Sequence, residues 1–219
     1  MKIVINSHVK STIALEHLLE SMRVHSAFHT YEIFVMIGGF YANANYDIKK
    51  DKNITYVYCN FNSIDFTGLI ALSELYAADI DEHYFYMHDT CKVGPTFFQK
   101  LASIDIRNVS SIRINQGSSM NIGIYSQRLI NTFKQFLIGY KNTIEAQCLA
   151  YKARCIKDED YLFIHDRNNS TLNNFHCRHH TGPTDYYKTG TMRIVEYYAN
   201  IDIYKIKANW GQGNHTLKN

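Results

Sequence analysis

Short apolar segments alternate with amphipathic helical segments along the first half of the chain. The apolar segments, which have the length and composition of buried strands, lie at residues 2–6, 31–37, 54–59 and 84–87. Apolar side chains recur at helical spacing in segments that begin near residues 11, 65 and 95. This β-α-β-β-α-β-α order predicts an α/β fold, with a mixed, mostly parallel sheet flanked by helices.

The second half of the chain is less regular. The pattern predicts strands at residues 111–115, 121–125 and 194–206, helices at 127–138 and 143–155, and a long polar loop or flap at 166–187. Neither an internal repeat nor a Pro/Gly-rich linker separates the two halves. We therefore expect a single domain over residues 1–219.

Composition excludes several classes of function. A net charge of +3 without a Lys/Arg stripe argues against a nucleic-acid partner. No apolar run approaches the roughly 20 residues that a membrane span needs, and the N-terminus does not have the pattern of a signal peptide. Five cysteines without a CxxC pair indicate reduced thiols. We expect a cytoplasmic protein without a membrane span; composition does not indicate an oligomeric state.

Asp89 ends the apolar run of the fourth predicted strand. Carboxylate oxygen is the ligand that Mg²⁺ and Mn²⁺ prefer, and such a cation bridges the phosphates of a nucleotide. The alternative is that Asp89 only caps the turn that follows the strand.

Other polar residues and glycines also lie where predicted strands end. Because ligands of α/β sheets collect outside the carboxyl ends of the strands, we expect these residues to face one crevice. They are Asn6, Ser7, His8, Gly38, Gly39 and His88. The sequence has no G-x-x-x-x-G-K-[ST] loop, no G-x-G-x-x-G after its first strand and no G-x-S-x-G, which disfavours P-loop, dinucleotide-binding and α/β-hydrolase sites.

Three segments carry a resemblance to a known family. They are Tyr-Phe-Tyr-Met-His-Asp-Thr at residues 84–90, Gly-Pro-Thr-Phe-Phe at 94–98 and Ser-Ser-Met-Asn-Ile-Gly-Ile-Tyr-Ser at 118–126. With the order of elements over residues 1–155, the chain resembles GT-A fold glycosyltransferases, in particular small enzymes of large DNA viruses. The resemblance implies a Rossmann-like GT-A domain with a nucleotide-binding half at residues 1–108 and an acceptor half with a C-terminal flap at residues 109–219. It also implies a nucleotide-sugar donor, with UDP-sugars as the first candidates, and a host cytoplasm if the protein is viral.

The resemblance also implies a donor-binding set. Asp65 would reach the base or ribose, although it would equally suit a helix N-cap. The glycine pair would line the base pocket, or form a plain turn. The implied donor-binding residues are Asn6, Ser7, His8, Gly38, Gly39, Asp65 and His88. Arg193, or alternatively Arg178, would pair with the diphosphate of the donor, because guanidinium geometry suits phosphate oxygens.

Metal and catalytic residues follow from the same resemblance. The family's motif is Asp-x-Asp; Asp89 matches its last residue, and Met87 replaces the first. The implied ligands of Mn²⁺ or Mg²⁺ are Asp89, His176 and His179, while the alternative for the two histidines is a surface loop. Glu145 would deprotonate the acceptor hydroxyl, with Asp89 as the second catalytic carboxylate, but Glu145 also fits a capping box with Asn142.

The sequence thus predicts a metal-assisted glycosyltransferase whose partners are a nucleotide-sugar donor and a glycan or glycoprotein acceptor. The alternative is a non-catalytic relative that binds a glycan or a partner through the same crevice, which the missing first carboxylate would explain. A nucleotidyltransferase is disfavoured because no Gly-rich basic loop follows the first strand.

Overall fold

The computed structural model describes residues 1–41, 44–114, 121–172, 177–182 and 193–207. Its strands are β1 (Lys2–His8), β2 (Ile33–Gly38), β3 (Tyr46–Asp51), β4 (Ile54–Cys59), β5 (His83–His88), β6 (Cys91–Val93), β7 (Ser111–Arg113), β8 (Gly123–Ser126), β9 (Asn169–Thr171), β10 (Cys177–Gly182), β11 (Arg193–Tyr198) and β12 (Ile203–Lys207). Its α-helices are α1 (Thr12–Arg23), α2 (Thr67–Leu75), α3 (Phe97–Ala102), α4 (Gln127–Thr132), α5 (Lys134–Gly139), α6 (Cys148–Lys157) and α7 (Tyr161–His165). Among the described residues, no helix is long and apolar enough to cross a bilayer.

The chain divides into two compact units. The larger unit contains Met1–Val9, Thr30–His88 and Ile106–Thr171. It holds a mixed sheet with the strand order β3-β4-β2-β1-β5-β8-β7-β9, in which β4, β2, β1 and β5 run parallel. This confirms the predicted α/β fold with a mostly parallel sheet flanked by helices.

The central strands are buried because their residues are apolar on both faces. Ile3, Val4 and Ile5 of β1 have no exposed surface, and every residue of β2 is buried. The sequences of parallel strands that are covered on both faces are continuously apolar, so the positions of these two strands were the easiest to predict. Helix α2 packs against β1, β2 and β4 and buries Leu69 and Leu72.

Four strands of the structure, β3, β6, β9 and β10, were missed by the sequence pattern. Strand β3 pairs antiparallel with β4 at the edge of the sheet, and four of its six residues are exposed. Charged residues such as Lys49 and Lys50 are typical of edge strands but weaken the strand signal in a sequence. Strand β6 has only three residues, too few for a recognisable pattern.

Several predicted elements of the second half were wrong in extent. The helix expected at residues 127–138 is two helices, α4 and α5, separated at Phe133. The segment 166–187, expected to be a flap, includes strands β9 and β10. The sequence pattern did not indicate them because short polar strands lack an apolar pattern. Pro95 does not begin α3; the helix begins at Phe97, after Thr96.

The smaller unit contains Lys10–His29, Asp89–Asp105 and Leu172–Asn219. Its described strands form an antiparallel sheet with the order β10-β11-β12-β6, and α1 packs against β6. Buried Asp202 accepts hydrogen bonds from the backbone N–H and the hydroxyl of Thr96, at 2.7 and 2.6 Å, and from the hydroxyl of Tyr197 at 2.9 Å. Burial raises the pKa of the Asp202 carboxyl, but these hydrogen bonds and the charge of Lys100 lower it more, to a net value below the ordinary one.

Candidate functional site

The strand order of the larger unit has a switch point between β1 and β5. From β1 the chain continues outward to β2 and β4, and then crosses back to β5 on the other side of β1. In α/β sheets, the carboxyl ends of the two strands at such a point flank the usual ligand crevice. Asn6 of β1 and His88 of β5 are paired in register at this position.

Asn6 connects β1 to the segment before α2. Its Nδ2 donates to the carbonyl oxygen of Ile64 at 2.8 Å, and its Oδ1 accepts from the backbone N–H of Gly68 at 2.9 Å. These two bonds fix the orientation of the amide, because its donor and acceptor ends are both engaged. The side chain is buried, and its bond to Gly68 is buried as well, whereas the bond to Ile64 is part-buried.

Asp65 and His88 form a largely buried pair beside Asn6. His88 Nε2 lies 2.9 Å from Asp65 Oδ1, with side-chain exposures of 14% and 9%. The same Nε2 lies 3.3 Å from Asn6 Nδ2, a donor that already has Ile64 as its acceptor. An ionised carboxylate only accepts, so Nε2–H donates to Asp65 and, in a neutral ring, Nδ1 is left as an acceptor.

The structure corrects the alternative role of Asp65 as a helix N-cap. Residue Phe66 is the N-cap of α2, and Asp65 lies within the 3₁₀ turn Ile64–Phe66. The carboxylate bonds to His88 instead. A buried carboxylate that orients an imidazole is an arrangement found in catalytic and ligand-binding sites.

The turn that presents Asp65 has a strained backbone. Ile64 has φ 53°, a left-handed conformation that is unfavourable for a β-branched residue. Its N–H donates to Asn62 Oδ1 at 3.1 Å, and the hydroxyl of Tyr86 donates to the carbonyl oxygen of Asp65 at 2.9 Å. With the bond from Asn6, these contacts hold the turn in place. Strain of this kind is retained where the surrounding structure fixes it, often at functional sites.

Gly38 and Gly39 lie at the same edge of the sheet, beside the end of β1. His8 pairs in register with Gly38, and Val9 N–H donates to the carbonyl oxygen of Gly38 at 3.0 Å. Gly39 has φ 85°, and a Cβ there would lie 2.4 Å from His8 Nε2. The backbone conformation therefore favours glycine, and the ring of His8 would have to move to admit a side chain. Ser7 is buried within β1.

One face of α6 packs against the Asp65 segment, and sequence reasoning missed it. Cys148 Sγ accepts from Asn62 Nδ2 at 3.6 Å, and Cys155 Sγ donates to the carbonyl oxygen of Ser63 at 3.5 Å. Lys152 lies between these cysteines at helical spacing and so shares their face. Burial lowers the pKa of Lys152 to about 8, while the charge of Asp65 opposes this shift. The helical spacing of residues 148, 152 and 155 was the feature of the sequence that could have indicated this face.

Glu145 is exposed at the start of the 3₁₀ turn Glu145–Gln147. The capping box proposed for it with Asn142 is wrong, because Ile144 is the N-cap of this turn and makes no side-chain cap bond. Asn142 Oδ1 instead accepts from the N–H of Ile144 at 3.1 Å. The carboxylate of Glu145 is therefore not committed to a capping box.

The remaining predicted site residues belong to the smaller unit or lie outside the described residues. Asp89 is buried and belongs to the smaller unit. His176 lies outside the described residues, and for His179 and Arg193 only the strand positions, in β10 and β11, are described. Within the described parts of the chain, no three His, Cys, Asp or Glu side chains form a cluster that could hold a metal ion.

No protein-family model and no curated protein matches this chain. Solved structures similar to it include a galactosyltransferase, LgtC, in complex with donor and acceptor sugar analogs, at 13% identity and a TM-score of 0.48; the match covers 79% of this chain and 73% of LgtC. The glycosyltransferase GlyE of Streptococcus pneumoniae TIGR4 matches at 11% identity and a TM-score of 0.46, over 79% of this chain and 46% of GlyE.

A glycosyltransferase involved in the glycosylation of the major capsid of PBCV-1 is also similar, at 14% identity and a TM-score of 0.44, over 78% of this chain and 81% of that one. These structural neighbours are glycosyltransferases.

Proposed function

We propose that this protein transfers a sugar from a nucleotide-sugar, with UDP-sugars as the first candidates, to a hydroxyl of a glycan or protein. The observation that carries the proposal is the cluster of Asn6, Asp65 and His88 at the switch point of the sheet. Such a position, with oriented polar groups, suits a nucleotide ligand.

The cluster offers the chemistry that a nucleoside needs. The Asp65 carboxylate accepts hydrogen bonds, and the imidazole of His88 is held in one orientation by Asp65. Hydroxyl groups of ribose and polar atoms of a base are recognised by such fixed groups, because little conformational entropy is lost on binding. Lys152, on the α6 face beside this segment, adds a positive charge that favours a phosphate-containing ligand.

In the proposed reaction, the acceptor hydroxyl oxygen forms a bond to the anomeric carbon of the sugar. The bond from that carbon to the diphosphate oxygen breaks, and the nucleoside diphosphate leaves with the electron pair. The hydroxyl proton passes to a carboxylate, for which exposed Glu145 is the candidate. The carboxylate is accessible to an acceptor from solution.

Mn²⁺ or Mg²⁺ is part of the proposal, with Asp89, His176 and His179 as the ligands that the sequence suggests. A divalent cation would neutralise the charge that develops on the leaving diphosphate. Arg193 is proposed to contact the same diphosphate. The assignment of Asp89 rests on the resemblance of residues 84–90 to the family motif, whereas those of His176 and His179 rest on the late histidine ligand that the family sometimes supplies.

A donor panel tests the proposal. Purified protein is incubated with UDP- and GDP-sugars and Mn²⁺, and release of the nucleoside diphosphate is measured with and without EDTA. We expect the protein to turn over at least one donor, and we expect EDTA to abolish this turnover. Glu145→Gln should lower transfer with unchanged donor affinity, whereas the exposed Glu16→Gln serves as a matched control. Absence of both donor binding and turnover would reject the proposal.

A second candidate function is glycan or partner binding without catalysis. The observation that favours it is Met87, a fully buried apolar residue in β5 where the family motif has a carboxylate. Asp89→Ala separates the two functions: an enzyme should lose its metal-dependent turnover. A binding protein should show no turnover in either form and should retain its ligand after the substitution.

A further inference from the structure

We propose that Arg113 is an anion-binding residue that contacts the diphosphate of the nucleotide-sugar. This inference rests on the proposed function for the source of the anion. Its structural basis is the position of Arg113 on the sheet of the larger unit and a guanidinium that forms no ion pair with any described residue.

The register of the sheet places Arg113 on the same face and at the same edge as His88. Tyr86 of β5 pairs with Gly123 of β8, and Gly123 pairs with Arg113 of β7. Residues paired across neighbouring strands share a face, as do residues two apart along one strand. Arg113 therefore shares the face of Tyr86 and His88, about 10 Å across the sheet from β5, which is two strand spacings.

The direction of the strands also places Arg113 and His88 at the same edge of the sheet. Strand β8 runs antiparallel to both β5 and β7, so β5 and β7 point the same way. Arg113 is the last residue of β7, just as His88 is the last residue of β5. Both residues thus lie at carboxyl ends, where ligands of α/β sheets bind.

The positive charge of Arg113 is only partly compensated within the described residues. Its guanidinium carbon lies 5.3 Å from the centre of the Phe163 ring, which supports the side chain. Its Nε is buried without a hydrogen-bond partner in the part of the chain that the structure describes. Arginine stays protonated, and a partly buried charge is unfavourable unless an anion pairs with it.

The neighbouring acidic residues do not provide that ion pair. Glu159 accepts a hydrogen bond from Asn121 at 2.8 Å. Burial raises the pKa of Asp160, although the charge of Arg113 opposes the shift, and Asp160 Oδ1 is buried without a partner among the described residues. An oxyanion from a ligand would supply the missing acceptor, and a guanidinium matches phosphate oxygens in geometry.

Calorimetric titrations of the full chain with pyrophosphate, UDP and uridine, in EDTA, test the inference without a metal. Arg113→Met keeps an unbranched side chain beside Phe163 and removes the charged guanidinium group. We expect it to bind UDP and pyrophosphate about 10- to 100-fold more weakly, as for a lost hydrogen bond to a charged group, with unchanged affinity for uridine. Arg113→Lys should restore part of the affinity. Arg128→Met, at an exposed ion pair with Asp81, is the matched control and should bind like wild type.

Two results would overturn the inference. One is unchanged affinity of Arg113→Met for UDP and pyrophosphate. The other is an equal loss for uridine and UDP, which would indicate a structural role. Pyrophosphate binding that depends on Arg113, without turnover of any sugar donor, would support the anion site and count against the proposed transferase activity. Thermal unfolding of each variant identifies a folding defect, in which case Arg113→Lys decides between the outcomes.

Discussion

Replacement of Asn6 by Ala should destabilise the protein, because the side chain satisfies two backbone groups at once. The substitution leaves the N–H of Gly68 and the carbonyl oxygen of Ile64 without their partners. A buried polar group without a partner costs about 1–3 kcal/mol. The Gly68 group is buried, whereas Ile64 is half-buried and water can replace its lost bond. We therefore expect a loss of about 2–4 kcal/mol in the free energy of unfolding.

Urea unfolding followed by circular dichroism measures this loss. The control is Asn60→Ala, which removes one exposed amide bond to Asn45 and should change the free energy by less than about 0.5 kcal/mol. If Asn6→Ala unfolds like that control, the bridging role assigned to Asn6 is wrong.

Three further predictions concern other parts of the molecule. The pKa of Asp202 in the folded protein is below its ordinary value of 3.8, so the ionised carboxylate stabilises the fold above pH 3.8. This stabilisation is lost as the pH falls through the lower folded-state pKa. Acid unfolding should show the loss in wild type and not in Asp202→Asn. Gly68→Ala should lower the free energy of unfolding by about 1–2 kcal/mol, since its Cβ would lie 2.8 Å from the buried ring of Tyr86, and overpacking outweighs the helix propensity of Ala. Iodoacetamide with peptide mapping should label half-exposed Cys148 before buried Cys155, because burial raises the pKa of Cys155 to about 12.

The parallel centre of the sheet was predictable because burial on both faces requires apolar residues. The third predicted strand matches β4 in both bounds, and β1 and β5 extend the predicted segments by one or two residues. Strand β3 was not predictable in the same way, since its charged residues face solvent. Local sequence patterns therefore predict buried strands well and exposed edge strands poorly.

The candidate site was predictable only in part. Asn6 and His88 were found because polar residues at strand ends interrupt apolar runs. The bond between Asp65 and His88 depends on a 3₁₀ turn with a left-handed Ile64, and no local pattern indicates that conformation. Arg113 was missed because its position follows from the pairing of β7 with β8, which is a tertiary property.

The affinity of Asp65→Ala for UDP decides whether Asp65 and His88 form the nucleotide site. We expect this variant to remain folded and to bind UDP at least about 10-fold more weakly than wild type, because the carboxylate and the orientation of His88 are both lost. Asp65→Asn, whose amide oxygen still accepts from His88 Nε2, should retain more of the affinity. Equal binding of UDP by wild type and Asp65→Ala would contradict the assignment of this cluster as the nucleotide site.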